Sequence, residues 1–394
     1  MPNSRSRVVV AMSGGVDSSV AAALLVEQGH DCVGVFMRHA APALPAPAGL
    51  PIVAPRPGHQ GCCSAADALD ARRVADRLGI PLYPLDLTAD FDRIISDFTA
   101  EYGRGRTPNP CVRCNAWLKF GRLFEHAAAV GASHVATGHY ARLERGPDGT
   151  PILRRGLDAD RDQSYVLFDI ERERLGQMLL PVGGLSKAAV RERAATLGLV
   201  TADKPDSQEI CFVAPGRHAE LVAARLGGSR AGAIIDLSGR VLGRHEGIEH
   251  FTVGQRRGLG IAIGEALHVV RIEADTNRVV VGPRAAVPEV ELVAAEVRWL
   301  GEPPAGPLAC QVQCRAQRAA AAAVVTPLPD GRFHARFTGG SDESGGAESP
   351  GRAESPGRAD SPGRADSLPG PISPGQPAVV YLGDRLLGGG WIEG

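Results

Sequence analysis

Arg7 to Met12 is a short run of β-branched and apolar residues, followed at once by Ser-Gly-Gly and then by helical spacing from Ser18 to Gln28 that closes at Gly29. That order predicts a strand, a tight loop and a helix. Cys32 to Met37 reads as the next strand, Ala65 to Leu78 as a helix stopped by Gly79, and Leu82 to Leu87 as a third strand. Helical spacing returns at Asp90 to Tyr102 and Ala116 to Val130, with a strand at His134 to Thr137. Strands that alternate with helices predict a parallel sheet covered on both faces.

After Gly198, where a further helix ends, the pattern changes. One helical stretch, Arg217 to Leu226, precedes short β-type runs punctuated by glycine. Val269 to Ile272 and Arg278 to Val281 predict a hairpin around Asp275 and Asn277. Val290 to Leu300, Leu308 to Ala316, Arg332 to Thr338 and Ala378 to Leu382 predict a small antiparallel barrel or sandwich. The expected fold is therefore α/β: a parallel-sheet catalytic domain over 1–215, a small central β-rich domain over 216–286 and a C-terminal β-barrel-like domain over 287–394. Two insertions interrupt it. Residues 41–60 carry six prolines, and 341–374 holds three tandem copies of Ser-Pro-Gly-Arg-Ala-acid from Ser349, Ser355 and Ser361. Too little apolar surface is available there to offset the ordering entropy, so disorder between two strands is expected.

The 44% of hydrophobic residues among 394 suffice for several buried cores, and no apolar run is long enough to span a membrane. With a polar N-terminus lacking secretory-signal blocks, this predicts a cytoplasmic protein. Net charge is −1, so a nucleic-acid partner must be met by a local patch. Between Tyr102 and Phe124 lie Arg104, Arg106, Arg113, Lys119 and Arg122 with no acidic residue, and this stretch is the candidate. Eight cysteines in such a chain point to thiol or metal chemistry rather than a disulfide scaffold. Cys62, Cys63, Cys111, Cys114 and Cys211 sit in polar, loop-like surroundings, whereas Cys32 reads as packing and Cys310 and Cys314 belong to a strand-like run.

Three segments carry the candidate chemistry. Ala11-Met12-Ser13-Gly14-Gly15-Val16-Asp17-Ser18 joins the first strand to the first helix, where glycines let the backbone approach phosphates and the helix N-terminus supplies donors. The lysine of a Walker loop is missing, which disfavours ordinary γ-phosphate hydrolysis. Asp17 is the candidate for orienting Mg²⁺. The second segment, Gly105 to Asn115, places Cys111 and Cys114 two residues apart among arginines, which should favour thiolates; half of a structural zinc site is the other reading. The third, Asp203 to Phe212, places Cys211 on a polar loop near the domain boundary.

The string Ser13-Gly-Gly-Val-Asp-Ser18 resembles the PP-loop of ATP pyrophosphatases (adenine nucleotide α-hydrolase-like proteins), which implies attack of a substrate oxygen on the α-phosphate of ATP. With Ala136-Thr-Gly-His-Tyr140, Asp162-Gln-Ser-Tyr165, Phe251-Thr-Val-Gly-Gln255 through Gly260 and Pro374-Gly-Gln376, the three segments resemble the bacterial tRNA-specific 2-thiouridylase family from about Val8 to the C-terminus. The resemblance implies Cys114 as nucleophile and Cys211 as the cysteine that carries a persulfide, the two ending as a disulfide in one version of the chemistry. It implies ATP contacts at Ala11, Met12, Ser13, Gly14, Gly15, Val16, Asp17, Ser18, Met37 and Gly138. Contacts to tRNA fall on Asn109, Pro110, Cys111, His139, Arg161, Asp162, Gln163, Arg315 and Gln376. Some members have Asp where Cys111 stands, and an aromatic residue of some members is missing at Ala316. Implied partners are tRNAs for Lys, Glu and Gln, thiolated at the wobble uridine, and a persulfide donor such as a cysteine desulfurase or sulfur carrier.

The residues leave other readings open. Cys111, Cys114 and Cys211 suit an iron-sulfur cluster with one open iron site, which changes the mechanism but not the product. A PP-loop amidotransferase would need an ammonia source, for which this chain has no motif. A non-enzymatic tRNA-binding protein would leave the glycine loop and the loop cysteines without purpose.

Overall fold

The computed structural model describes residues 6–39, 64–206, 210–213, 216–261, 264–339 and 368–394. The insertion over 41–60, Cys62, Cys63 and the three tandem repeats lie outside the described residues.

Five parallel strands form the first sheet: β1 (Arg7–Ala11), β2 (Asp31–Arg38), β3 (Leu82–Asp86), β4 (His134–Ala136) and β7 (Met178–Leu179), in the order β3-β2-β1-β4-β7. Strand β1 is central, and its side chains alternate between two cores. Val8 and Val10 pack with α1 (Val16–Glu27), α2 (Ala65–Leu78) and α6 (Lys187–Thr196), while Val9 and Ala11 pack on the opposite face. Helix α2 begins where Ser64 and Asp67 form a reciprocal capping box and ends at Gly79 in the left-handed conformation.

Helix α3 (Thr88–Gly103) leads to the loop before the cysteine pair. The helix expected over Ala116 to Val130 is divided differently: α4 (Pro110–Arg113) holds Cys111, a π-helical stretch runs from Cys114 to Arg122, and α5 (Leu123–Ala129) completes it. Pro110 at its first turn starts the helix earlier than the apolar spacing suggests, because its missing N–H is an orphan there anyway. π-Helical segments are rare and concentrate at functional sites.

Helix α7 (His218–Leu226) precedes a four-stranded sheet of β8 (Gly232–Ile235), β9 (Val241–His245), β10 (His268–Glu273) and β11 (Arg278–Gly282), ordered β10-β11-β8-β9. Strands β10 and β11 form the expected hairpin, with Asn277 at φ 53° in its turn.

The last unit is a closed antiparallel barrel, not a sandwich. Strands β12 (Glu291–Trp299), β13 (Leu308–Gln313), β14 (Ala321–Leu328), β15 (Arg332–Phe337), β16 (Pro377–Leu382) and β17 (Arg385–Ile392) run β12-β15-β14-β13-β16-β17, and β12 pairs again with β17. The hairpin of β5 (Ala141–Arg145) and β6 (Pro151–Arg155) adds to the outside of β17. Residues 368–374, expected to share the disorder of the insertion, are packed: Ile372 is buried in the barrel interior with Phe333 and Val380. Leu368 packs against the same cluster, so apolar side chains hold this stretch to the barrel. Val379, Tyr381, Leu386 and Trp391 on the barrel join Val9, Val135, Leu153 and Phe168 in one core, so the first and last units pack together.

Candidate active site and nucleotide loop

The glycine loop lies where β1 ends and α1 begins. Gly14 has φ 73°, and a Cβ there would overlap the Asp67 backbone, so the loop can lie flat on the first turn of α2 only with glycine. Gly15 is the N-cap of α1 and no side chain caps the helix, which leaves its first N–H groups to bind an anion. Ser18 Oγ accepts from the Ser13 amide at 3.2 Å and donates to the Gly15 carbonyl at 3.1 Å, fixing the loop. Gly138, after β4, lies against the start of α1, where an added Cβ would stand 2.6 Å from Ser18 N. The loop, the open helix end and Gly138 thus fit a bound polyphosphate.

Two lysines absent from the sequence-based site reach this loop. Lys187, at the start of α6, binds both carboxylate oxygens of Asp17 at 2.7 and 2.9 Å and Asp206 at 2.8 Å. Lys204 donates to the Gly14 carbonyl at 2.9 Å and to Asp67 and Asp70 at 2.7 and 2.6 Å. Tyr140 Oη donates to Asp17 Oδ1 at 2.7 Å. Burial alone would raise the Asp206 carboxyl, but Lys187, Arg161 and Arg191 hold it below the usual carboxylate range. Asp17 therefore does not fit the expected part of a metal-orienting carboxylate: a divalent cation there would meet an ammonium already on both oxygens. Lys187 sits in no recognisable motif, and Lys204, although inside the Asp203 to Phe212 segment, carries no sequence signal for this role; only the fold brings both to the loop.

Cys114 and Cys211 are half-buried and pack on one apolar cluster formed by Leu87, at the N-cap of α3, and Phe91, Ile94 and Phe98 of α3 with Leu221 and Val222 of α7; Met37 borders the same cluster. Cys111 is exposed. Cys32 and Cys314 are packing residues: both are buried, and burial pushes their thiols up to about 11 and about 12. Among the described residues no three His, Cys, Asp or Glu side chains are gathered as a metal ion would require.

The basic stretch is corrected by the fold. Its linear window has no acid, but α3 and more distant segments supply them. Arg104 and Arg106 both pair with Glu101 at 2.8 Å, Arg122 with Asp90 at 3.2 Å and with Glu125, and Arg113 with Asp169 at 3.2 Å and Glu296 at 3.0 Å. Arg104 is the most exposed of the four.

Several residues assigned to tRNA are turned inward. His139 is buried between Thr137 Oγ1 at 2.8 Å and Lys119 Nζ at 3.5 Å, and burial drives its imidazole well below the ordinary 6.5. Asp162 accepts from Arg155, the Gly156 amide and Ser164, closing its own turn. Gln163 accepts from the Tyr140 amide at 3.0 Å. Arg315 donates to Val253 O at 3.2 Å and Ser373 Oγ at 2.8 Å. Gln376 donates to the carbonyls of Thr107 and Pro108, steadying the loop that leads to Asn109, Pro110 and Cys111. Arg161 pairs with Asp206 at 2.8 Å and stays 40% exposed, which leaves it able to meet a phosphate.

An open-ended α1 behind a glycine loop, a parallel sheet and an appended β-rich unit and β-barrel define a nucleotide-binding enzyme of the PP-loop class. The tRNA methyl transferase HUP domain family matches residues 6–215, its PRC-barrel domain 220–283, and the aminomethyltransferase beta-barrel domain 369–392. The chain is 45% identical to the tRNA-specific 2-thiouridylase MnmA of Rhodopirellula baltica over 98% of its length and 96% of that protein's. The namesake enzyme of Rhodospirillum centenum is 44% identical over 98% and 91%, and that of Geotalea uraniireducens 42% over 99% and 96%. This chain belongs to the tRNA-specific 2-thiouridylase family, and membership implies ATP binding. Among the described residues no helix is long and apolar enough to cross a membrane.

Proposed function

We propose that the protein is a tRNA-uridine 2-sulfurtransferase acting on the wobble uridine. The observation that carries this reading is the packing of Cys114 and Cys211, distant in sequence, on one apolar cluster bordered by Met37, in a chain whose first helix presents an uncapped N-terminus behind a glycine loop. In the proposed reaction the uridine O2 attacks the α-phosphorus of ATP and pyrophosphate departs. The terminal sulfur of a Cys211 persulfide then attacks carbon 2, and AMP leaves with the original oxygen. Cys114 thiolate attacks the inner sulfur of Cys211, which releases the thiocarbonyl and leaves a Cys114–Cys211 disulfide for an external thiol to reduce. AMP is a far better leaving group than oxide, which is why ATP is spent.

Mg²⁺ enters this proposal as the counter-ion of ATP, with no step routed through Asp17. The persulfide comes from a donor protein, and the tRNAs are those for Lys, Glu and Gln implied by the family. Cys111 is exposed, whereas Cys114 and Cys211 are half-buried on the apolar cluster, and this difference in surroundings favours the persulfide relay over an iron-sulfur cluster on all three.

The test is thiolation of unmodified tRNA by anaerobically purified protein with ATP, Mg²⁺ and a persulfide donor, with iron measured on the same samples. Thiouridine from iron-free protein, lost in Cys114→Ser and Cys211→Ser, is the expected result. Activity that tracks bound iron moves the mechanism to a cluster, and no thiolation in either state overturns the proposal.

A further inference from the structure

The cysteine pair belongs to the first domain, yet the chain that carries it is gripped by the barrel. The Thr107 amide donates to the Pro374 carbonyl at 2.8 Å, Gln376 Nε2 donates to Thr107 O at 2.8 Å, and Arg106 Nη2 donates to Ile392 O at 3.2 Å. Between the two cysteines, the Arg113 guanidinium lies 4.1 Å over the Trp391 ring and 5.2 Å from that of Trp117. It reaches Glu296 at 3.0 Å, Asp169 at 3.2 Å and Asp97 at 3.7 Å, and its side chain is 14% exposed. Arg298 binds the other oxygen of Asp169 at 3.1 Å, so the cluster ties Cys111-Val-Arg-Cys114 to strands β12 and β17.

The barrel is distorted to make this contact. The β12–β17 register breaks between Ala295 and Arg298, and Glu296 within the break has φ 49°, a conformation that side chains other than glycine rarely adopt. Bulges of this kind re-aim side chains next to sites. Glu296 itself is 65% exposed, and a pair with so exposed a carboxylate adds little stability. Stability alone does not account for the strain, whereas fixing the guanidinium does.

We infer that Arg113 is a positioning residue for Cys114. Held by Trp391, Glu296 and Asp169, it sets the turn from which the π-helix starts at Cys114, so the barrel orders the thiol as well as joining the domains. The inference rests on reading Cys114 as the nucleophile. A lysine at 113 would supply charge but not a planar fork able to meet two carboxylates while stacked on indole.

The experiment compares wild type, Arg113→Met, Arg113→Lys, Glu296→Gly and the Arg113→Met/Glu296→Gly double variant. It measures thiolation kcat, KM for tRNA, melting temperature and the rate of Cys114 alkylation by iodoacetamide. Glu296→Gly removes the carboxylate and relieves the left-handed φ, so it keeps the test alive should Arg113→Met not fold. Expected are a kcat loss of about 10- to 100-fold in Arg113→Met, a smaller loss in Glu296→Gly and partial recovery in Arg113→Lys. KM should stay within about twofold, Cys114 alkylation should change in the same order, and the double variant should be no worse than Arg113→Met alone. Lower melting temperatures with unchanged kcat and alkylation, or additive losses in the double variant, overturn the inference. Thiolation that survives Cys114→Ser would instead remove the role of Cys114, a separate outcome, because alkylation reads the position of the thiol without turnover.

Discussion

Gly138→Ala isolates what the nucleotide loop needs from its neighbour. Gly138 does not have a left-handed φ, so alanine is conformationally allowed and only space is at issue. The new Cβ would stand 2.6 Å from Asp17 C and Ser18 N and 3.0 Å from Asp17 O, all backbone atoms of the first turn of α1. Ordinary van der Waals contact begins at 3.4 Å, so helix and loop must separate by about 0.8 Å, the difference between those two distances. Overpacking of this kind costs about 1–3 kcal/mol, and here the cost falls on the N–H groups that would meet phosphate. The expected outcome is a rise of about tenfold in the ATP Kd, equivalent to about 1.4 kcal/mol, with a modest drop in melting temperature. Calorimetric titration with ATP reads it, with Gly176→Ala as control because a Cβ at Gly176 meets nothing within 4 Å. An ATP affinity within twofold of wild type in folded Gly138→Ala would refute the argument that this contact shapes the loop.

Two further outcomes follow from the buried imidazole and the basic stretch. The folded-state pKa of His139 lies well below its ordinary 6.5 because burial disfavours the cation. Between those two values the unfolded chain binds the extra proton, so stability falls as pH drops below about 6.5. His139→Gln should flatten that part of the profile of melting temperature against pH, and an unchanged slope would show that other groups cause it. Arg104, 69% exposed and paired only with Glu101 among the described ion pairs, should weaken tRNA binding when changed to Ala and reduce the salt slope of log K by about 1, leaving ATP affinity unchanged. Filter binding across a salt series checks this, and equal slopes would remove Arg104 from the interface.

Local pattern carried much of the first domain and failed where tertiary contact decides. Strands β1 to β4 and helices α1 to α3 follow from β-branched runs, apolar periodicity and glycine stops. Strand β14 did not announce itself, because Ala320 to Ala323 is a run of a helix former and only pairing with β13 and β15 makes it extended. Strand β17 was hidden by Gly388, Gly389 and Gly390. Glycine is poor in strands, but a Cβ at Gly389 would stand 2.8 Å from both Ala378 O and the Phe168 ring of the first domain, and one at Gly388 or Gly390 would crowd β12 at Arg298 O or Ala295 O, so these residues are small where the barrel closes. The glycine loop and the cysteines were visible because each is a local string with chemistry of its own. Lys187 and Lys204 were not, since a lysine becomes a loop ligand only through the packing of α6 and the segment after it.

The same reasoning explains why a stretch with five cations and no acid is not a bare positive patch. Charge along a chain counts sequence neighbours, whereas phosphates respond to charge in space. Asp90, Asp97 and Glu101 recur along α3, which packs against the cysteine segment, and they cancel much of what the linear count implied. The Arg104 guanidinium, largely in water, is held only weakly by Glu101, so a polyanion can draw it away at small cost. Arg113, enclosed by two indoles and three carboxylates, cannot be drawn away without costing the buried Asp169 one of its two arginine partners, since burial already pushes Asp169 upward against the pull of Arg113 and Arg298. One stretch thus divides by burial: its exposed arginines stay open to solvent, and its buried one is committed to the protein.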